Sequence, residues 1–365
     1  MNMKRRFLLA ATLMLTLILA AACGGGQKPG SSAPSGSSGT SASAGAALDS
    51  RVFKLAHESN PGGPLQVYAE ALDKHLKELS GGAYSLQIFT AGQLGDAMAC
   101  VEQCQAGTLD MVIGGYGNFS SMTGGYPGAL GLPYVLPTDV DSVRAMMSDS
   151  KAANMLAEII GEKNIHILGW PLEGADWWSC TKPIHTPADM AGVKFRVIMS
   201  AVGLATFEAY GANCTPIPYS ELYSSLQLGM VEGQCNPLSS IKDMKFYEVQ
   251  DYLIDCGSSY LVHCFGMNSS TWDSLPAEGQ EIIKEAVKLA EDDYIPYLKD
   301  EEATMVKFFE DEGLEIIHLT DEEKAMFREK VADVPEVFAN ECEDPARAKE
   351  IVDQFIADAA QYTGA

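Results

Sequence analysis

Arg196 is the residue whose chemistry the sequence marks most clearly. No other arginine occurs between Arg144 and Arg328. Arg196 lies in GVKFRV (192–197), whose alternating apolar residues predict a β-strand with one face towards the core. Its side chain must then point to the opposite face. A planar guanidinium there can hold a carboxylate through two parallel hydrogen bonds, and the same geometry would also serve a structural salt bridge.

No catalytic or nucleotide-binding signature accompanies this arginine. The sequence has no GxSxG, no Walker phosphate loop, no HExxH and no GxGxxG after a strand. Its six histidines are scattered and no cysteine pair has CxxC spacing, so we expect no metal site and no cofactor. GGYGNF (114–119) fits neither nucleotide pattern, and its place after a strand is typical of a ligand-contacting loop. An extracellular hydrolase therefore lacks the nucleophile and base that it would need.

The elements that must position Arg196 alternate between strands and helices. Apolar runs predict four further strands: VFKLAH (52–57), YSLQIF (84–89), LDMVIGG (109–115) and YLVHCFGMN (260–268). Pro276 opens a helical pattern of about 35 residues, or roughly 50 Å, which is long enough to cross two small lobes. QAGTLD (105–110) and QLGMVE (227–232) share one pattern, with a glycine that would end a helix before a buried strand.

These elements predict an α/β protein with a two-lobe fold like that of periplasmic binding proteins. Each lobe would contain a parallel sheet with right-handed crossovers, and a long helix would span both lobes across a hinge and a cleft. We expect residues 48–169 with about 258–293 to form lobe I. Residues 170–257 with about 294–365 would form lobe II.

The first 47 residues predict export and attachment to a membrane. Residues 1–22 have a basic start and an apolar run too short to span a bilayer, as in a signal peptide. The segment ends before Cys23 and resembles a bacterial lipoprotein lipobox, which implies acylation of Cys23. An uncleaved hydrophobic anchor is the alternative. Residues 24–47 are rich in glycine and serine and predict a flexible tether.

Charge and cysteine content limit the class of protein further. The net charge of -24 repels phosphate backbones, so we expect no nucleic-acid partner. The acidic residues concentrate in the C-terminal helices, where helical spacing predicts solvated faces. Eight cysteines remain besides Cys23. An exported protein could join them in disulfides, and buried free thiols are the equally open alternative.

The sequence resembles a known family, the extracytoplasmic solute-binding proteins of tripartite ATP-independent periplasmic (TRAP) transporters, over nearly all of residues 50–345. The resemblance rests on six ordered motifs: TAGQLGD (90–96), QAGTLDM (105–111), LPYVL (132–136), TPADMAGVKFRV (186–197), YGANCTPIPYSELYSSLQLGMVEGQCNPL (210–238) and KFYEVQDYL (245–253). It implies a receptor, not an enzyme, that closes two lobes on a small organic acid and delivers it to a membrane permease.

The resemblance also implies ligand contacts. The family's carboxylate-binding arginine matches Arg196, the aromatic contact before SELY matches Tyr219, and the asparagine before PL matches Asn236. From the residues alone, Tyr219 could instead be a packed core ring and Asn236 a turn former. Glu58, in the loop after the first strand, is a further candidate contact that could equally be exposed to solvent.

A second arginine of many family members, twenty residues before the first, falls here at Asp176 or, with a one-residue gap, at Ala175. Exchanging a positive for a negative charge disfavours a second ligand carboxylate. We therefore expect a monocarboxylate or an amino-acid-like ligand. Trp178, with its neighbour Trp177, would supply an aromatic wall; the alternative is that one ring packs in the core and the other lies at the surface.

Two other functions would use the same two-lobe scaffold. A lipoprotein receptor of an ATP-driven importer would share the hinge without the motif around Arg196. A surface sensor or adhesin would use the lobes as a scaffold. The motif order favours the TRAP receptor over both.

Overall fold

The structure, a computed structural model, describes residues 48–362. The predicted signal peptide, Cys23 and the tether lie outside the described residues. Eleven strands are present in the described part of the chain: β1 (Arg51–His57), β2 (Tyr84–Phe89), β3 (Met111–Gly115), β4 (Ile165–Gly169), β5 (Leu172–Cys180), β6 (Lys194–Val197), β7 (Asn213–Pro216), β8 (Gly233–Pro237), β9 (Tyr252–Asp255), β10 (Tyr260–Asn268) and β11 (Glu315–His318).

Fourteen α-helices surround these strands within residues 48–362. They are α1 (Pro64–Leu79), α2 (Ala97–Ala106), α3 (Tyr116–Ser120), α4 (Val140–Asp149), α5 (Lys151–Gly161), α6 (Pro187–Met190), α7 (Ala201–Ala209), α8 (Leu222–Gln227), α9 (Leu238–Asp243), α10 (Ser269–Asp273), α11 (Ala277–Asp311), α12 (Asp321–Lys330), α13 (Val334–Glu341) and α14 (Pro345–Ala359). Short 3-10 segments occur at Tyr126–Gly131, Tyr219–Glu221 and Phe246–Val249.

The strands form two lobes joined in the middle. In the first lobe the order is β2-β1-β3-β10, with β4 also on β10; in the second it is β5-β8-β6-β7, with β9 and β11 added beside β5. Within the lobes, β1 pairs in parallel with β2 and β3, and β6 pairs in parallel with β7 and β8. The predicted parallel pairing is therefore present at these strands. The strand β10 was predicted, but β5 was not, and the prediction missed the antiparallel pairing of both strands, which makes each sheet mixed.

Strands β5 and β10 pass from one lobe to the other. The start of β10 pairs with the start of β5 through Tyr260–Val262, and the later part of β10 pairs with β3. The later part of β5, from Asp176 onwards, pairs with β8 in the second lobe. The pairing of β5 with β10 therefore joins the sheets of the two lobes.

The long helix α11 spans both lobes, as predicted. It has 35 residues and continues through Pro296. Near its middle, Asp293 pairs with Lys74 of α1 at 2.9 Å, and further along Glu301 lies 3.7 Å from Lys242 of α9. The helix therefore packs on one helix from each side of the hinge.

The shared QxGx pattern has the predicted conformation in both lobes. Gly107 follows α2 with φ of 79°, and Gly229 follows α8 with φ of 64°. A residue with a β-carbon adopts this left-handed conformation only at a cost, so glycine ends both helices and turns the chain towards β3 and β8.

The C-terminal helix differs from the predicted lobe assignment. The carboxylate of Asp358 in α14 accepts hydrogen bonds from Ser150 Oγ at 2.7 Å and from the backbone N–H of Ala152 at 3.0 Å, at the start of α5. Residues near 358 therefore pack on the first lobe, whereas the sequence grouped 294–365 with the second. The spacing of apolar residues in the C-terminal helix does not indicate that this helix packs on the first lobe.

All eight cysteines in the described part of the chain are free. Six of them are buried and two are half-buried, so the structure favours the thiol alternative over disulfides. Within residues 48–362 no helix combines the length and apolarity needed to cross a membrane. The same residues contain no group of three or more histidine, cysteine, aspartate or glutamate side chains arranged to hold a metal ion.

Candidate functional site

A cavity of about 200 Å³ lies between the two lobes, above the crossing strands β5 and β10. The first lobe contributes the loop after β1, the TAGQLGD loop and α3. The second lobe contributes the segments after β6 and β7 and the end of β8. Four of the predicted site residues line it together: Glu58, Arg196, Tyr219 and Asn236. Ligand sites typically occur at such domain interfaces.

Arg196 is buried in β6 without a counter-ion. Its side chain is 3% exposed, and its Nε–H donates to the carbonyl oxygen of Ile217 at 2.9 Å. Its Nη1 has no hydrogen-bond partner among the described residues, and no ion pair of Arg196 occurs within them. Burial lowers the pKa of Arg196 to about 10, with partial opposition from neighbours including Tyr219. The guanidinium therefore stays charged at neutral pH, with a free donor at the cavity wall.

Tyr219 and Asn236 line the same cavity from the second lobe. Tyr219 is half-buried, packs edge-on against Phe246 at 5.9 Å and donates its hydroxyl to the carbonyl of Ser240 at 3.4 Å. Asn236, 4% exposed, donates through Nδ2 to Gln234, which donates in turn to Ser179 at 2.8 Å. These bonds fix the aromatic ring and the amide before any ligand arrives.

Glu58 faces the same cavity from the first lobe and is not exposed to solvent as the alternative interpretation had it. Its Oε1 accepts from the backbone N–H of Gly115 at 2.6 Å, and its Oε2 lies 3.4 Å from Asn118 Nδ2. Burial opposes ionisation, but the neighbouring His263 imidazole and the N–H of Gly115 outweigh it, so the pKa of Glu58 is lowered overall. Gly115 and Asn118 both belong to GGYGNF, and both line the cavity.

Two charged residues at the floor of the cavity were not among the predicted site residues: Glu173 of β5 and His263 of β10. His263 is 2% exposed, with Nε2 at 2.5 Å from Glu173 Oε2 and Nδ1 at 3.5 Å from Glu58 Oε1. Burial lowers the pKa of His263, but Glu173 and Glu58 together raise it to about 10. We call Glu58, His263 and Glu173 the floor triad. Its net charge is -1, because an imidazolium lies between two carboxylates.

A signal for the floor triad was present but was not used. His263 interrupts the otherwise apolar strand YLVHCFGMN, and a histidine in a fully buried strand needs polar partners. Glu173 is similarly buried at the start of its strand, and it also accepts hydrogen bonds from Ser239 and Ser240 of α9.

Neither position proposed for the missing second arginine lines this cavity. Asp176 is half-buried on β5, where its backbone carbonyl accepts from Cys256 Sγ at 3.2 Å. Burial and the charge of Glu173 raise the pKa of Asp176 to about 7, so it is no fixed negative charge. Ala175 lines a separate cavity on the side of α11. The acidic residue that β5 contributes to the ligand cavity is Glu173.

The predicted aromatic wall at Trp178 is wrong. Trp178 is 0% exposed and its ring contacts Phe207, Tyr210 and Phe327 at centroid distances of 5.9, 5.5 and 4.9 Å. Side chains alternate along a strand, and this register turns Trp178 into the core of the second lobe. Trp177 points to the other face and packs near His318, also away from the cavity. Both rings are buried, so the alternative of one core ring and one surface ring holds only for its core half.

The lobes touch on two sides of the cavity. Asn60 of the first lobe donates its backbone N–H to Asp243 Oδ2 of α9 at 3.0 Å. On the other side, a β-carbon at Gly117 would lie 2.9 Å from Ile198 Cγ2 and 3.3 Å from the carbonyl oxygen of Met199. The structure is therefore a closed arrangement, and Gly117 is required for the closest approach.

Comparison with known proteins agrees with this architecture. The chain is 29% identical to the ectoine-binding periplasmic protein TeaA of Halomonas elongata over 317 residues, covering 84% of this chain and 89% of that protein. It is 31% identical to the sialic acid-binding periplasmic protein SiaP of Vibrio cholerae over 269 residues, covering 73% and 83% respectively.

Solved structures show the same fold. The periplasmic ectoine-binding protein of the Halomonas elongata TeaABC TRAP transporter matches with a TM-score of 0.80 and 28% identity, covering 85% of this chain and 100% of that one. A TRAP solute-binding protein from Desulfovibrio salexigens with bound orotic acid matches with a TM-score of 0.80 and 25% identity, covering 85% and 99%. The family of bacterial extracellular solute-binding proteins, family 7, matches residues 55–341. The chain thus belongs to this family of TRAP transporter solute-binding proteins, which are ligand receptors and not enzymes.

Proposed function

We propose that the protein captures a small organic acid outside the cytoplasm by closing its two lobes and delivers it to the membrane permease of a TRAP transporter. One observation carries the proposal. Arg196 is a buried cation with a free donor at the wall of a cavity that both lobes complete. A ligand carboxylate would supply the missing counter-charge, and it would bind best when the first lobe excludes water from the pair.

The charges of the cavity favour a ligand with one carboxylate. Arg196 offers a single positive charge without a partner, whereas the floor triad carries a net charge of -1. A second ligand carboxylate would therefore face Glu58 or Glu173 without a counter-ion, which costs affinity. Glu58 and Glu173, and not Asp176, are the acidic residues that disfavour a second carboxylate. An ammonium group would add a positive charge beside the imidazolium of His263, so the monocarboxylate is favoured over the amino-acid-like ligand.

The relatives support a small organic acid. TeaA and SiaP are named for binding ectoine and sialic acid. The cavity of about 200 Å³ suits a compact metabolite and is too small for a peptide. An ATP-driven importer or a surface sensor is not favoured, because the matched relatives and structures belong to TRAP transporters.

We further propose that the protein is held at the membrane through lipidated Cys23. The lipobox-like end of the apolar run and the glycine- and serine-rich segment 24–47 support this. A multiply acylated cysteine buries enough methylene groups, at about 0.8 kcal/mol each, to keep the protein on a bilayer.

Isothermal titration calorimetry of the purified protein tests the ligand class. We expect ectoine-sized monocarboxylates to bind and matched dicarboxylates, such as succinate against butyrate, to bind at least tenfold more weakly. Tight binding of succinate would overturn the charge argument. If no carboxylate binds and neutral solutes do, the capture of an acid is refuted.

A further inference from the structure

Two cationic donors at the cavity make no hydrogen bond within the part of the chain that the structure describes. Among residues 48–362, seven buried polar side-chain atoms make no hydrogen bond. Two of these atoms belong to residues that line the ligand cavity, Arg196 Nη1 and His263 Nδ1. Buried donors are nearly always satisfied, so each orphan needs an explanation. The proposed ligand carboxylate would bond to Arg196 Nη1, but it provides no partner for His263 Nδ1.

The unbonded atom His263 Nδ1 is a hydrogen-bond donor and not an acceptor. His263 Nε2 lies 2.5 Å from Glu173 Oε2, a distance that requires a hydrogen on Nε2 or on the carboxyl group. Glu58 lies on the other side of the ring, and two carboxylates beside one imidazole favour the imidazolium, in which both nitrogens donate. The distance of 3.5 Å from Nδ1 to Glu58 Oε1 is too long for a good hydrogen bond. His263 Nδ1–H is thus held near an anion without bonding to it.

One type of ligand group satisfies this corner of the cavity. A hydroxyl oxygen can accept from Nδ1–H while its hydrogen points to Glu58 Oε1. Because these two atoms are only 3.5 Å apart, a single oxygen about 2.8 Å from each reaches both. An ammonium group has no lone pair for Nδ1 and would add a positive charge beside the imidazolium. A methylene group would satisfy neither partner.

We propose that His263, together with Glu58, recognises a hydroxyl group on the ligand, and that the protein selects hydroxy-monocarboxylic acids over the corresponding deoxy and amino acids. This inference rests on the proposed function, because it assumes that Arg196 holds the carboxylate. It names a second ligand contact on the hinge strand β10, which motif matching did not mark.

Triplets of acids that share one skeleton test the inference. Suitable triplets are lactate, propionate and alanine; 3-hydroxybutyrate, butyrate and 3-aminobutyrate; and mandelate, phenylacetate and phenylglycine. In calorimetric titrations of the wild-type protein we expect the hydroxy acid of at least one triplet to bind tenfold or more tightly than both partners. Equal affinity for the hydroxy and deoxy acids in every binding triplet, or tighter binding of an amino acid, would overturn the proposal.

A variant then assigns the preference to His263. His263→Gln should reduce the preference for the hydroxyl group to less than threefold while the deoxy acid keeps its affinity within about threefold. His166→Gln is the matched control, because His166 stacks on Trp272 at 4.3 Å outside the cavity. A preference that survives in His263→Gln refutes the assignment. If that variant does not fold, ¹⁵N spectra of the wild-type protein decide: the Nδ1 resonance of His263 should shift with the hydroxy acid and not with its deoxy partner, and identical shifts refute the contact.

The two proposals fail in different ways. Arg196→Met should weaken binding of all members of a triplet by roughly 10²- to 10⁴-fold, because it removes the carboxylate anchor. If Arg196→Met binds carboxylates like the wild type, or if no monocarboxylate binds the wild type, the proposed function fails and the inference fails with it. If carboxylates bind through Arg196 without any preference for a hydroxyl group, the inference alone fails.

Discussion

Replacing Arg196 with methionine separates a ligand anchor from a structural arginine. Methionine keeps an apolar stem of similar length and removes the charge. The pKa of Arg196 falls from its usual 12.5 to about 10 mainly through burial, which corresponds to roughly 3 kcal/mol of unfavourable desolvation at 1.36 kcal/mol per pKa unit. Removing the guanidinium relieves this cost. It also leaves the carbonyl of Ile217 without its donor, at a cost of about 1–3 kcal/mol.

These opposing effects predict that the ligand-free Arg196→Met protein unfolds within about 2 kcal/mol of the wild type. A structural arginine in a buried salt bridge would behave differently, because removing one partner of such a pair costs about 3–5 kcal/mol. Binding should respond in the opposite way. Two charge-assisted hydrogen bonds to a carboxylate, at about 1.5–3 kcal/mol each, predict a loss of affinity of roughly 10²- to 10⁴-fold.

Urea unfolding and calorimetry measure the two quantities on the same samples. Ectoine and the monocarboxylate triplets serve as ligands. Arg144→Met is the matched control, because Arg144 is partly exposed and pairs with Asp292 on α11, away from the cavity. Its affinity should equal that of the wild type. An Arg196→Met protein that loses more than 3 kcal/mol of stability and keeps its affinity would show that Arg196 is structural.

Further variants test closure, anchoring, the floor and the core. Gly117→Ala should weaken ligand binding about tenfold, because the added methyl group overlaps the facing lobe at a cost of about 1–3 kcal/mol. The control Gly161→Ala places its methyl group in open space and should bind ligand like the wild type. Equal affinities of the two variants would refute the contact between the lobes at Gly117. Cys23→Ser should release the protein from membranes and abolish fatty-acid labelling, and a protein that stays bound would contradict lipidation. The carboxylates beside His263 outweigh burial and raise its folded pKa to about 10, so the stabilisation that the charged imidazole provides should be complete below about pH 6.5 and decline as the pH rises towards 10. The urea midpoints of the wild type and His263→Gln should therefore converge over that range. A constant difference between the midpoints would contradict a charged imidazole. Trp178→Ala should lower the free energy of unfolding by about 3–5 kcal/mol and leave the ligand affinity unchanged. A loss of affinity without a loss of stability would show that the Trp178 ring contacts the ligand.

Much of the fold could be read from periodicity, because each strand needed only its own residues. YSLQIF was predicted and observed as the same strand, Tyr84–Phe89, and the long helix after Pro276 was placed correctly. Arg196 could be singled out for a similar reason. An arginine in a strand of alternating apolar residues is conspicuous by itself, and its neighbours in sequence settle which face it takes.

The floor triad could not be predicted in this way, because its members come from three separate parts of the chain. Glu173 and His263 are 90 residues apart and meet through antiparallel pairing of two crossing strands. No local pattern specifies that pairing. The error at Trp178 has a local cause. A strand reverses every side chain when the register moves by one residue, so matching Asp176 to a motif position did not determine which face the neighbouring rings would take.

The strands β5 and β10, which join the lobes, also carry Glu173 and His263. The strands about which the lobes would move therefore also line the proposed binding cavity. Anyone who redesigns this receptor as a biosensor therefore has two kinds of position. If the proposed function holds, substitutions at Tyr219 or Asn236, outside the strands β5 and β10, would change the ligand preference and leave the joining strands intact. Substitutions on β5 or β10 alter selectivity and the balance between open and closed forms together, so the signal amplitude of such a sensor would change along with its specificity.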